Sequence, residues 1–180
     1  MSKVNYAVAE KTTTTWLTPK SIIDLLGPFD LDPCTPQEGM PWQTAKIMLT
    51  PTDDGLATPW SVEDFVWHNP PYGRGQELWM EKAAEHGNNI SLVFARTDTK
   101  WAHRFVFGHS NCRAVLFTEG RLRFCNKDGV EGDACPTGSM FVAYGAEAER
   151  RLRKAWENGD IRGHFLSLHR MSQMRLDLDL

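Results

Sequence analysis

Residues 66–73 read VWHNPPYG, an apolar run halted by two adjacent prolines. Proline fixes its own φ and has no N–H to give to a sheet, so a strand entering this stretch ends at Asn69. Beyond the strand lies a stiff turn carrying one side-chain amide, two proline carbonyls and an aromatic ring. Such a turn can do chemistry on an amine attached to a planar ring. The lone pair of that amine is delocalised, which makes it a poor nucleophile. A rigidly held amide oxygen and a backbone carbonyl can accept both N–H hydrogens, localise the lone pair and stabilise positive charge growing on nitrogen. Asn69 and the carbonyl of Pro70 supply that pair, Pro71 stiffens it, and Tyr72 can stack on a planar base. A simple Pro-Pro turn between two elements is the alternative.

Outward from the turn, apolar runs alternate with amphipathic ones. Upstream, Thr18 reads as an N-cap and Pro19 as the first helical residue, with Ile22, Leu25 and Leu26 on one face and Gly27-Pro28 as the stop. A short strand at 29–31 runs into Asp32-Pro33-Cys34. Residues 35–60 are rich in Pro, Thr and Gly and read as long loops with a short strand near 46–49. Strands are expected at 63–68, 90–95 and 113–118, with two more at 121–125 and 140–144 near the sheet edge. Helices are expected at 76–86, closed by Gly87, at 99–107 and at 147–158. Strands alternating with helices imply an α/β sheet with a substantial parallel portion, and ligands sit at the C-terminal ends of such strands. Asp32 and Asn69 both fall at such ends.

The 180 residues suit one core, with a loose tail over 1–15, a catalytic domain over 16–158 and a C-terminal extension over 159–180. No run is apolar enough for a membrane span and no leader pattern opens the chain, so a cytoplasmic location, in a bacterial or phage-infected cell, is expected. Cys34, Cys112, Cys125 and Cys135 form no CxxC pair, which leaves no zinc or redox motif and no metal expected.

The net charge of −3 argues by itself against a nucleic-acid partner, but the charges are unevenly spread. Residues 1–95 hold 6 Lys/Arg against 12 Asp/Glu, whereas 96–127 hold 7 against 2. An acidic half followed by a basic block suits a protein that binds a cationic small molecule and then meets a polyanion. The alternative is a salt-bridged surface. Trp67, Trp79 and Trp101, with apolar neighbours, read as core.

The turn resembles the catalytic motif of S-adenosylmethionine-dependent methyltransferases that act on amino nitrogens, most of them DNA adenine-N6 enzymes. WLTPKSIIDLL (16–26) and FDLDPC (29–34) resemble the elements that precede it there. Together with DDGLATPW (53–60), ARTDTKW (95–101) and GRLRF (120–124), they make the chain similar to the small phage-type, Dam-like DNA adenine methyltransferases over roughly residues 16–145. The resemblance implies a single-domain α/β Rossmann-like methyltransferase fold, a mostly parallel sheet flanked by helices. It implies S-adenosylmethionine as cofactor, double-stranded DNA as partner, a flipped adenine as substrate and GATC as a possible target.

It also implies roles. Trp16, Thr18, Pro19, Asp32, Pro33, Cys34, Asp54 and Asn69 would meet the cofactor: the helix start its carboxylate, Asp32 its amino group, and Asp54, ahead of Asp53, its ribose or adenine. Asp30, alternating to the other side of its strand, is the weaker candidate. Asn69, Pro70, Pro71 and Tyr72 would be catalytic, and Arg96, Lys100, Arg121 and Arg123 would contact DNA phosphates, the last two from one strand face. The chain departs from many methyltransferases in lacking a glycine-rich loop after Cys34. Four rivals remain: cytosine-C5 chemistry at Pro33-Cys34, methylation of cytosine N4, methylation of protein glutamine, and a DNA-binding module without activity.

Overall fold

The computed structural model describes residues 17–168. The tail expected over 1–15 and the candidate Trp16 lie outside the described residues. In chain order the elements are α1 (Lys20–Leu26), β1 (Leu31–Asp32), β2 (Ile47–Met48), β3 (Val66–His68), α2 (Gln76–His86) and β4 (Asn89–Phe94). A π-helical segment (Ala102–Phe107) comes next, then β5 (Cys112–Thr118), β6 (Arg123–Cys125), β7 (Glu131–Ala134), β8 (Ser139–Tyr144), α3 (Ala146–Glu157) and β9 (Gly163–Ser167).

Seven strands form one sheet in the order β2-β1-β3-β4-β8-β5-β9. The four strands β2, β1, β3 and β4 run parallel, and β8 and β9 pair antiparallel with their neighbours. This is a mixed α/β sheet with a parallel half. Two apolar layers cover it. Ile23 and Leu26 of α1 and Ala148, Leu152 and Ala155 of α3 pack on one side with Trp67, Leu92 and Phe141. Met80, Ala83 and Ala84 of α2 and Phe105 and Val106 of the π-helical segment pack on the other with Val66, Val93 and Val142. Each large side chain so buried contributes about 1.5–3 kcal/mol before chain entropy is counted.

Several expectations shift. Pro19, in extended backbone (φ −52°, ψ 138°), stands at the N-cap of α1, and no side chain caps that helix. Thr18 is therefore not the cap. The buried residues of α1 are Ile23 and Leu26, while Leu25 is 37% exposed. The strand expected at 63–68 is shorter, because the Phe65 N–H donates to the Asp30 carboxylate (2.9 Å) rather than to a strand. The segment at 140–144 is central, not peripheral: all six residues of β8 are buried between β4 and β5. The segment at 121–125 also leaves the edge of the main sheet: β6 pairs with β7 in a separate hairpin and is bridged at Cys125 to Leu17. Gly120, with φ +76°, turns the chain out of β5 just before it. Residues 163–167, inside the stretch expected as an extension, form the edge strand beside β5.

The strand order reverses about β1. The chain leaves β1 for β2 on one side and returns with β3 on the other. At such a reversal the loops diverge and leave a crevice beyond the strand ends. Asp32 is the last residue of β1, and Asn69 directly follows the last residue of β3.

Candidate active site

A cavity of about 360 Å³ opens beyond these strand ends. Its wall is assembled from Leu17-Thr18, the loop after β1 (Asp32 to Thr44), the loop after β2 (Thr50 to Gly55), the turn Asn69 to Tyr72, and Trp67 and Trp79. Of the described cofactor candidates, Thr18, Asp32, Pro33, Cys34, Asp54 and Asn69 all line it, and so do Pro70, Pro71 and Tyr72. Pro19 serves as the α1 cap instead.

Asp32 is 4% exposed. Its carboxylate accepts the Cys34 N–H at 2.9 Å and the Thr44 hydroxyl at 2.5 Å. No cation among the described residues pairs with it. Burial pushes its carboxyl up to about 6, against the downward pull of these donors. A buried carboxylate facing a nucleoside-sized cavity is suited to a cationic ligand. Burial and the Asp32 charge push the neighbouring Cys34 thiol well up. It stays protonated, contrary to what a cysteine nucleophile needs.

The loop after β2 is held from several directions. Asp53 accepts the Thr50 N–H and hydroxyl, both at 2.8 Å, and is taken up in that turn. Asp54, at φ +49°, accepts the Leu56 and Ala57 N–H groups through Oδ1 and borders the cavity. The Trp60 indole N–H donates to the Gly55 carbonyl (3.0 Å), and Lys82 Nζ donates to the carbonyls of Leu56 and Thr58 (2.6 Å each). Asp30 faces elsewhere: Lys46 and the Phe65 N–H occupy it and hold its carboxyl below the usual range.

Gly55 supplies the close backbone approach that the loop after Cys34 lacks. A Cβ there would collide with the Pro33 carbonyl oxygen and lie 3.0 Å from the Trp79 ring. Gly55→Ala should therefore spread the two cavity walls and weaken ligand binding about tenfold or more, by clash rather than by lost contacts. Calorimetric titration of the variant with S-adenosylmethionine, the cofactor that the sequence resemblance implies, checks this, and unchanged affinity would contradict it.

At the turn, Asn69 Nδ2 donates to Thr18 Oγ1 (3.3 Å) and the Tyr72 hydroxyl donates to Asn69 Oδ1 (2.9 Å). The Tyr72 ring stacks on Phe94 at the end of β4, with centroids 3.9 Å apart and planes 10° apart. One face of Tyr72 is thus occupied by Phe94. Burial raises the Tyr72 phenol far above its ordinary value, so it remains a donor.

The basic candidates divide. Arg96 and Lys100 are exposed and lie beyond the end of β4, on the same sheet edge as Asn69. Arg121 donates to the Cys135 carbonyl (3.2 Å), and Arg123 donates to the Gly132 carbonyl (3.3 Å) and lies 3.8 Å from Glu131. Only Arg123 is in a strand, so the expected shared strand face does not form. Both side chains brace the β6–β7 hairpin. Arg104 pairs with Glu81 and Arg113 with Glu149, so part of the basic block is taken up internally.

Sequence reasoning missed four contributors. Trp79 faces the cavity from α2, Thr44 donates to Asp32 across twelve residues, and Met40 lines the wall. Arg74 is exposed between Gly73 and Gly75, both at positive φ, two residues after Tyr72. A cation so close to the turn, in a Gly-Arg-Gly setting, was the readable signal. Trp67, read as core, is both core and cavity wall. Among the described residues no helix is long and apolar enough to cross a membrane, and no group of three His, Cys, Asp or Glu could hold a metal ion.

The family model described as DNA N-6-adenine-methyltransferase (Dam) matches residues 6–158. A DNA N-6-adenine-methyltransferase of Escherichia phage T1 is 28% identical over 115 residues, covering 59% of this chain and 45% of the phage protein. The chain thus spans about half the length of that relative, at 45%. No solved structure matches it.

Proposed function

The chain belongs to the DNA N-6-adenine-methyltransferase (Dam) family, and from that premise we propose that it methylates adenine N6 in double-stranded DNA, using S-adenosylmethionine. The observation that carries this reading is the pairing of Asp32 and Asn69 at neighbouring strand ends around one cavity. One is a buried carboxylate that no described cation pairs with, and the other is a rigid amide beside a proline carbonyl. On this reading the sheet is a Rossmann-like methyltransferase sheet, and residues 16–158 are the catalytic domain.

The residues fit the cofactor. Asp32 would hold its ammonium group, Asp54 its ribose hydroxyls, and Trp79 and Pro33 its flat or apolar parts, while the Thr18 hydroxyl, taken up by the Asn69 amide, would make no polar contact to it. When bound there, S-adenosylmethionine would supply an electrophilic methyl group on a sulfonium, with sulfur keeping the bonding pair. The chain's part is to bind and aim. Asn69 Oδ1 and the Pro70 carbonyl accept the two N6 hydrogens and stabilise the charge developing on nitrogen; one N6 proton then leaves to water. Tyr72 offers the face not covered by Phe94 to the extruded base, which offsets a flipping cost of a few kcal/mol.

Arg74, Arg96 and Lys100 form the cationic rim nearest the turn, and we assign them the flanking phosphates. Replacing all three with Gln should cut the slope of log affinity against log salt by about 2–3. The Arg121→Ala/Arg123→Ala pair, whose guanidiniums already brace the hairpin, should change it less. Filter-binding titrations over a salt series measure both, and an unchanged slope in the triple variant would remove the rim from the DNA contact.

The acceptor class is tested by offering duplex DNA, single-stranded DNA, RNA and protein extract with radiolabelled S-adenosylmethionine. Label in duplex DNA, with GATC-containing sites assayed first, supports the reading. Label confined to RNA or protein overturns it, and cofactor binding without transfer to any acceptor favours a binding module.

A further inference from the structure

We infer that Thr18 is a positioning residue that sets which way the Asn69 amide faces, so that its oxygen rather than its nitrogen meets the substrate amine. The inference rests on the functional reading above and adds a residue to it.

A side-chain amide is nearly symmetric in shape. Rotated by half a turn about its last bond, Asn69 would fill the same space while presenting N–H groups where the reaction needs an acceptor. A donor aimed at adenine N6 would repel the amine hydrogens and lend no stabilisation to positive charge. Something must choose between the two orientations, and Pro70 and Pro71 offer no backbone N–H to hold the oxygen.

Two contacts favour the orientation with the oxygen as acceptor. Thr18 Oγ1 accepts from Asn69 Nδ2 at 3.3 Å, and the Tyr72 hydroxyl donates to Oδ1 at 2.9 Å. The side chain of Thr18 is well placed for this duty, and among the described residues its hydroxyl has no other partner. Thr18 is 1% exposed, and although it precedes a proline-initiated helix it does not cap it. Its backbone is pinned from both sides. Leu17 exchanges two hydrogen bonds with Cys125 (3.1 and 2.8 Å), and the Pro19 carbonyl accepts from Ile22 at 3.0 Å. A hydroxyl on so fixed a backbone holds an amide 51 residues away with little freedom of its own. Tyr72 is also needed for the substrate base, so Thr18 is the partner that persists as the base enters.

Thr18→Val keeps shape and burial and deletes only the oxygen. With duplex DNA as acceptor its kcat should fall about 10–100-fold, while the dissociation constant for S-adenosylmethionine stays within about twofold. Thr18→Ser, which restores the oxygen, should return kcat to within about threefold of wild type. Thr18→Ala gives the same reading should the valine variant fail to fold. A valine variant with wild-type kcat overturns the inference. So does a kcat loss that the serine variant shares, or one that accompanies a matching loss of cofactor affinity. If the wild type itself transfers nothing to DNA, the functional reading falls and this inference with it; wild-type turnover with an indifferent valine variant removes this inference alone.

Discussion

Asn69→Ala is expected to lower methyl transfer to DNA by about 10²–10³-fold while cofactor affinity changes little. That magnitude is typical of deleting one preorganised hydrogen-bonding group aimed at developing charge. The alanine leaves the Pro70 carbonyl in place, so one of two acceptors survives and turnover does not fall to the uncatalysed rate. The folded state loses the hydrogen bonds to Thr18 and from Tyr72. At about 1 kcal/mol each the protein should remain folded. Tyr72 keeps its stack on Phe94 and a longer contact to the Leu92 carbonyl (3.5 Å), so the turn should not collapse. Single-turnover rates and calorimetric titration of the same preparation separate the two quantities. Loss of cofactor affinity equal to the loss of rate would remove Asn69 from the catalytic role.

Asp32→Asn should produce two opposite effects. Cofactor affinity should drop by about 100-fold or more, because the ammonium loses its buried counter-charge. The ligand-free protein should become more stable at neutral pH. In the fold, the carboxyl sits at about 6 instead of its ordinary 3.8. Between those values the folded state holds a proton that the unfolded state has lost, so stability falls as pH rises from about 4 to about 6 and stays reduced above. A difference of that size corresponds to at most about 3 kcal/mol, and Asn, carrying no charge to bury, escapes that cost. The advantage of the variant should therefore vanish below about pH 4. Cofactor binding, which needs the ionised form, should strengthen in the wild type as pH rises through about 6. Thermal melts of both proteins from about pH 4 to about pH 8 check the sign. A variant less stable than wild type at neutral pH would show that the Thr44 and Cys34 donors outweigh the cost of burial.

The contrast between these two residues shows what was legible in the sequence. Asp32 and Asn69 were readable because each ends an apolar run with a polar residue against proline, a pattern local to a few positions. The helix at 76–86 was readable for the same reason, its end marked by Gly87 at φ +75°. What closes the cavity was not local. Gly55 meets Pro33 and Trp79, and Thr44 reaches Asp32, only once the loops after β1 and β2 are folded together. Thr18-Pro19 has every feature of a helix start, and tertiary structure gives the hydroxyl to Asn69 instead. The central position of β8 was hidden because a fully apolar strand reads alike wherever both its faces are covered. The basic block overstated the free cations, since Arg104 and Arg113 find Glu81 and Glu149 from distant elements.

Methylation of adenine N6 at the Asn69 turn is tested most directly on plasmid DNA free of methylation. The DNA is incubated with S-adenosylmethionine and either wild type or Asn69→Ala, then digested to nucleosides for mass spectrometry. The predicted result is N6-methyldeoxyadenosine with the wild type and about a hundredfold less, or lower still, with the variant. N4-methyldeoxycytidine in its place, or equal N6-methyldeoxyadenosine from both proteins, would contradict that role for the turn.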